Sequence, residues 1–239
     1  PIVDPQRRLT TSFHVVPDCW ALQAPIMTTG AVLRWWRDHF TVGTRENAYV
    51  EMDRAASQIP PGAEGVMVMP HFCGAGAPHW DHASRGAVVG LGLSHTPAHV
   101  VRAILEGVAM EIRANSDIME SLGIPAETVR IVGGGAKSAL WTGIIGDLLG
   151  KPQVRIEQVE VGTLGAAMLA GLGVGAFRDV TEAVRCMVPH GSRREFCPEN
   201  HAAYEALRRR YQEASARLYG RSLDDWEDIE ASDLGVSPA

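Results

Sequence analysis

The chain has 239 residues, 46% of them hydrophobic and 21% charged, enough for one large or two small domains around a substantial core. A formal net charge of −6 argues against a nucleic-acid binder that works by neutralising phosphates, yet a small anion held by local donors stays possible. Four cysteines without CxxC spacing, and no apolar leader in the opening residues, predict reduced, buried thiols in a cytoplasmic protein.

In chain order, residues 1–20 mix proline, charge and β-branched residues and predict edge strands. APIMTTGAVLRWWRDHF (24–40) predicts a helix starting near Thr28 or Thr29, both cap-forming residues, with Val32, Leu33, Trp35, Trp36 and Phe40 as its apolar face. Residues 46–59 read as a second helix closed by IPPG. VMVMPHF (66–72) is an apolar run of buried-strand type, and GAVVGLGL (86–93) resumes as a strand after a Gly/Pro-rich loop. From Pro97 to Leu122 apolar residues recur at helical spacing, bracketed by a first-turn proline and by Gly123. TVRIVGG, KSALWTGIIGDLLG, PQVRIE and GTLGAAMLAGLGVG then alternate strand and helix, which implies parallel pairing, right-handed crossovers and an α/β layered sheet. The uncharged run 161–177 is near membrane length, but its glycine and alanine predict a closely packed buried helix instead of a span. Residues 198–220 form an amphipathic closing helix, and the tail 221–239 carries no ordering signal.

The chemistry centres on IVGGGAKS (131–138). Gly133, Gly134 and Gly135 let backbone approach a ligand, and the helix that follows offers unpaired N–H groups and a positive dipole end. A tight strand-to-helix turn needs glycine in any case, so the triplet by itself leaves a nucleotide site and a plain turn equally open. A P-loop is excluded because Ala136 precedes Lys137, and a dinucleotide fingerprint fails because its third glycine falls on Ser138. His71, His79 and His82 invite a metal reading, but the HxxH pair sits in a loop without further ligand pairs, and no metal residue is assigned. Asp81 is read as fixing its own loop, with Arg85 as ion partner; water-mediated contact to Mg²⁺ is the alternative.

GAVVGLGLSHTPAHVVRAILE (86–106) resembles the second signature of the FGGY carbohydrate kinases, with Gly90, Leu91, His99, Val100, Ala103, Ile104, Leu105 and Glu106 in register. APHWDHASRG is similar to a segment of glycerol kinases, and GGGAKSALW with LGAAMLAGLGVGAF to stretches of xylulokinase-like members. The resemblance runs from about Leu9 to Gly220. It implies an actin-like ATPase, ribonuclease H-like fold, with residues 1–220 as the C-terminal, ATP-binding domain and 221–239 as a tail. The family's N-terminal half carries the sugar contacts, a phosphate loop and the aspartate base, so the resemblance implies no catalytic residue in this chain. It also implies ATP and Mg²⁺ as cofactors, a sugar or polyol as substrate and the protein's own N-terminal domain as partner. A homodimer stays open, and neither nucleic acid nor membrane is expected.

By the same resemblance, Gly134, Gly135 and Ala136 face adenosine, and Gly30 lies beside the nucleotide. Arg34 stands where glycerol kinases have glutamine, and Lys137 is a candidate phosphate contact; a solvated surface role is open for both. Ala139 replaces an asparagine of glycerol kinases, and Ala75-Gly76 replaces a Glu-Arg pair of many xylulokinases. Two rivals are a structural or chaperone ATPase of the same fold and a dinucleotide-dependent oxidoreductase.

Overall fold

A computed structural model describes residues 2–41, 47–156 and 160–220. The chain opens with an antiparallel hairpin, β1 (Thr10–Phe13) and β2 (Trp20–Gln23), followed by α1 (Gly30–Phe40) and α2 (Ala48–Ala56). A second antiparallel pair, β3 (Met67–Met69) and β4 (Ala87–Val89), brackets the Gly/Pro-rich loop and leads into α3 (Pro97–Ser121). Then come β5 (Val129–Ile131), α4 (Ala139–Leu149), β6 (Gln153–Arg155), α5 (Val161–Gly173), α6 (Val180–Met187), β7 (Ser192–Arg194) and α7 (Pro198–Tyr219). β5 and β6 pair in parallel with α4 as their crossover, the expected βαβ unit. β7 adds antiparallel to β6.

α3 organises the core. Its 25 residues span about 37 Å at the α-helical rise. Thr96 and His99 form a reciprocal capping box at its start, and Pro97 needs no donor there. From Val100 to Met110 nearly every residue is buried, the charged Arg102 and Glu106 included, so the helix is enclosed on all sides along this stretch. It packs against β3, α4, α2 and α1. All three β3 residues are buried, and Gly107 of α3 sits so close that a Cβ would run into the Val68 carbonyl.

Two polar knots fix α7 on this core. Arg102 Nε donates to Glu106 Oε1 at 2.6 Å and Arg102 Nη2 to the Tyr204 hydroxyl at 2.7 Å, while that hydroxyl donates to Glu106 Oε1 at 3.0 Å. Asp147 of α4 accepts from Arg194 Nη1 at 2.9 Å, from the Cys197 N–H at 2.8 Å and from Asn200 Nδ2 at 2.8 Å. Buried charges survive only when paired and hydrogen-bonded in this way.

The α/β reading holds, with the described strands, each of three or four residues, arranged in three small sheets of two, two and three strands. Several expectations are corrected. α5, expected as a closely packed buried helix, has no buried residue; its contacts run chiefly to α6. Cys19, Cys73 and Cys186 are exposed and Cys197 half-buried, so the free thiols are not core residues. α6 and β7 were not among the expected elements, although α6 is amphipathic and capped by Asp179. Residue 46 of the expected second helix, Glu157 and the tail 221–239 lie outside the described residues. No helix among the described residues is long and apolar enough to cross a membrane.

Candidate functional site

Five of the seven sequence-proposed residues line one cavity of about 850 Å³: Gly30 and Arg34 from α1, and Gly134, Gly135 and Lys137 from the turn after β5. Val108 and Ile112 of α3 form its apolar floor with Ile131, Trp141 and Ile145. Ala136 is fully buried beneath the turn, and Ala139 lies on the exposed start of α4 outside the lining.

The turn is built by its glycines. Gly133 has φ +77°, a conformation that L side chains rarely adopt. Behind Gly135 stands the Trp141 ring, 3.1 Å from where a Cβ would lie, and Trp141 is fixed by donating Nε1 to the Leu105 carbonyl at 3.1 Å. Nothing lies within 4 Å of a Cβ built on Gly134, so its open face belongs to the cavity. Across from it, Thr29 leaves the first turn of α1 without a side-chain cap, whereas Ser138 caps α4 by accepting the Trp141 N–H at 2.9 Å. An uncapped helix start presents free N–H groups and the positive end of the dipole.

Sequence reading missed Tyr49, Val50 and Asp53, which α2 brings to the same cavity. No motif marks them; only the packing of α2 against α3 carries them there. Burial pushes the Asp53 carboxyl above its usual range, and a hydrogen bond from the Ser138 side chain pulls part of the way back.

The loop between β3 and β4 sits elsewhere on α3. Asp81 does fix its own loop, accepting the Ala83 N–H at 2.9 Å on Oδ1 and the Ser84 hydroxyl at 2.8 Å on Oδ2. Arg85 turns Nη1 to the carbonyls of His82, Ala83 and Ser84. At Gly76 a Cβ would run into the Pro25 carbonyl, so this backbone has no room for the arginine of the xylulokinase pattern.

His71 and His79 converge on Glu111 of α3, with Nε2 to carboxylate separations of 3.8 and 3.4 Å. Tyr211 of α7 donates its hydroxyl to Glu111 Oε1 at 2.9 Å. Burial opposes the charge on Glu111, but the hydrogen bond from His79 and the two imidazoles outweigh it and hold the carboxyl below its usual range. Burial also pushes the His71 imidazole down, toward the neutral form.

This arrangement has known relatives. The model of the FGGY family of carbohydrate kinases, C-terminal domain, matches residues 2–174. The chain is 38% identical over 177 residues to a glycerol kinase of Solidesulfovibrio magneticus, covering 73% of this chain and 35% of that protein. A glycerol kinase of Deinococcus radiodurans is 33% identical over 214 residues, which is 87% of this chain and 40% of the relative. The chain thus spans about two fifths or less of these relatives' length. Among solved structures, xylulose kinase from Rhodospirillum rubrum superposes with a TM-score of 0.80 at 29% identity, over 91% of this chain and 43% of that one. Gluconate kinase from Lactobacillus acidophilus follows with 0.78 at 25% identity, over 92% and 44%. The fold is therefore the actin-like ATPase fold of these enzymes, and the chain belongs to the FGGY family of carbohydrate kinases, whose C-terminal domain it carries.

Proposed function

We propose that the 850 Å³ cavity receives ATP, and that the protein to which this domain belongs transfers the γ-phosphoryl group to a hydroxyl of a sugar or polyol. The observation that carries the reading is the meeting of the open Gly134 face and the uncapped start of α1 across one apolar-floored cavity. The glycine face admits the adenosine, with Val108, Ile112 and Ile131 offering apolar contact. The α1 N-terminus, Arg34 and Lys137 supply donors and positive charge for phosphates. Ala139 gives no side-chain contact to the base. The substrate class rests on relatives named glycerol, xylulose and gluconate kinases.

Phosphoryl transfer asks the protein mainly for positioning and charge stabilisation. The base that takes the hydroxyl proton must stand within hydrogen-bond reach of the substrate. Asp53, the one carboxylate among the described residues of the cavity lining, is engaged by Ser138, so we assign the base to the family's N-terminal domain. Mg²⁺ keeps mostly water and phosphate ligands. Asp81 does not suit it, since both oxygens serve the loop.

Calorimetric titration of the 239-residue chain with ATP, ADP and NAD tests the reading. Saturable binding of both adenine nucleotides without NAD binding supports it. Absence of adenine-nucleotide binding, or a preference for NAD, overturns it.

A further inference from the structure

On α3, Val108 and Ile112 line the cavity assigned to ATP, while Met110, Glu111 and Ala114 line a separate cavity of about 490 Å³. His79 and Glu111 belong to its lining and His71 adjoins them: one nitrogen from each imidazole and a carboxylate oxygen of Glu111 all lie within 4.8 Å of one another. We propose that these three side chains bind a divalent transition-metal ion of the Zn²⁺ class, with the remaining coordination position open to this cavity.

Two imidazoles and a carboxylate are a donor set that selects zinc and its neighbours over the harder Mg²⁺ or Ca²⁺. Ligands at zinc-bond length around a tetrahedral centre stand roughly 3.3 Å apart. His71 Nε2 stands 3.8 Å from Glu111 Oε1 and His79 Nε2 3.4 Å from Oε2, and one donor atom from each residue lies within 4.8 Å of the others, so the imidazoles and the carboxylate close inward to seat the ion. Burial is the second argument. The side chains of His71, His79 and Glu111 are only 5%, 13% and 4% exposed, far from the loose surface clusters that gather acids by chance.

The surroundings hold the donors in place. The Tyr211 hydroxyl fixes one carboxylate oxygen, as an outer partner of a metal ligand does. The loop that carries both histidines is tied down at several points. Ala77 N–H donates to the Pro25 carbonyl at 2.8 Å, Asn115 Nδ2 to the Ala77 carbonyl at 3.1 Å, and Trp80 Nε1 to the Arg8 carbonyl at 2.8 Å. The arginines around this cavity do not present bare positive charge to an entering cation, because Arg8 pairs with Asp4, and Arg113 and Arg208 both pair with Asp117. Because the ligands come from the loop and from α3, a bound ion would clamp one to the other.

The test is equilibrium dialysis of the chelator-stripped chain, its thiols alkylated, against Zn²⁺ and separately Mg²⁺, with the electronic spectrum of the Co²⁺ form as second readout. One Zn²⁺ per chain, a tetrahedral nitrogen and oxygen Co²⁺ spectrum, and loss of both in His79→Ala and Glu111→Gln support the site. Tyr211→Phe should weaken the ion by about 10- to 100-fold. Should Glu111→Gln fail to fold, His79→Ala carries the result, since His79 lies on the loop and is the least buried of the three. No saturable Zn²⁺ binding, equal binding of Mg²⁺, or binding that survives His79→Ala unchanged overturns the proposal.

Discussion

Gly134 and Asp53 bear opposite relations to the ligand proposed for the large cavity. A Cβ on Gly134 meets no protein atom, so Gly134→Val should leave the fold intact and obstruct only what enters from the open side. ADP affinity measured by calorimetry should fall by at least about tenfold, or 1.4 kcal/mol, with an unchanged circular dichroism spectrum. Asp53 has its carboxyl raised chiefly by burial, so its ionised form costs folding free energy. Asp53→Asn should therefore be more stable than the parent at neutral pH. The sign follows from the raised value: the difference is absent in acid, where Asp53 is protonated folded and unfolded alike. It opens as pH rises through the unfolded carboxylate range and is complete above the native value. Urea melts across that range check it, and a difference largest in acid would contradict it. Of these two residues only the glycine was legible beforehand. Gly134 sits in a motif, whereas Asp53 reaches the cavity by the packing of α2, which no local spacing records.

The long helix α3 was the most legible element, because a proline at its start, Gly123 past its end and apolar residues recurring at helical spacing agree. What the pattern concealed was direction. A helix buried on every side over its central turns does not say which neighbour each residue meets, so neither the Gly107 crossing nor the Glu111 cluster was visible. Gly107→Ala should cost about 1–3 kcal/mol, the range for forcing a methyl into a packed core, because the obstacle is the Val68 backbone and cannot rotate aside. Tyr204→Phe leaves Arg102 and Glu106 directly paired but removes the hydroxyl that accepts from Arg102 Nη2, and should cost about 1–3 kcal/mol for the buried donor it leaves unpaired. Chemical denaturation of each variant measures both. The short strands were read less well, since three-residue runs carry no period and their pairing depends on distant partners.

For the whole molecule, the family resemblance was legible from motifs scattered along most of the chain, and the division of labour we propose between domains rests on it. The chain should bind nucleotide yet show no sugar-dependent ADP release in a coupled assay, whereas addition of the N-terminal domain should restore turnover. Turnover by the chain alone would place the base within it. α5 was misread for a physical reason: glycine and alanine make a helix pack closely only where a second surface exists to receive it. Residues 161–173 carry no charged side chain and none is buried, and Val174 at its end is 83% exposed. For anyone preparing this domain, the helix is a colloidal liability. Sedimentation should show association that grows with concentration and salt, and Leu169→Glu with Val174→Lys should raise the soluble yield while leaving the melting temperature where it was.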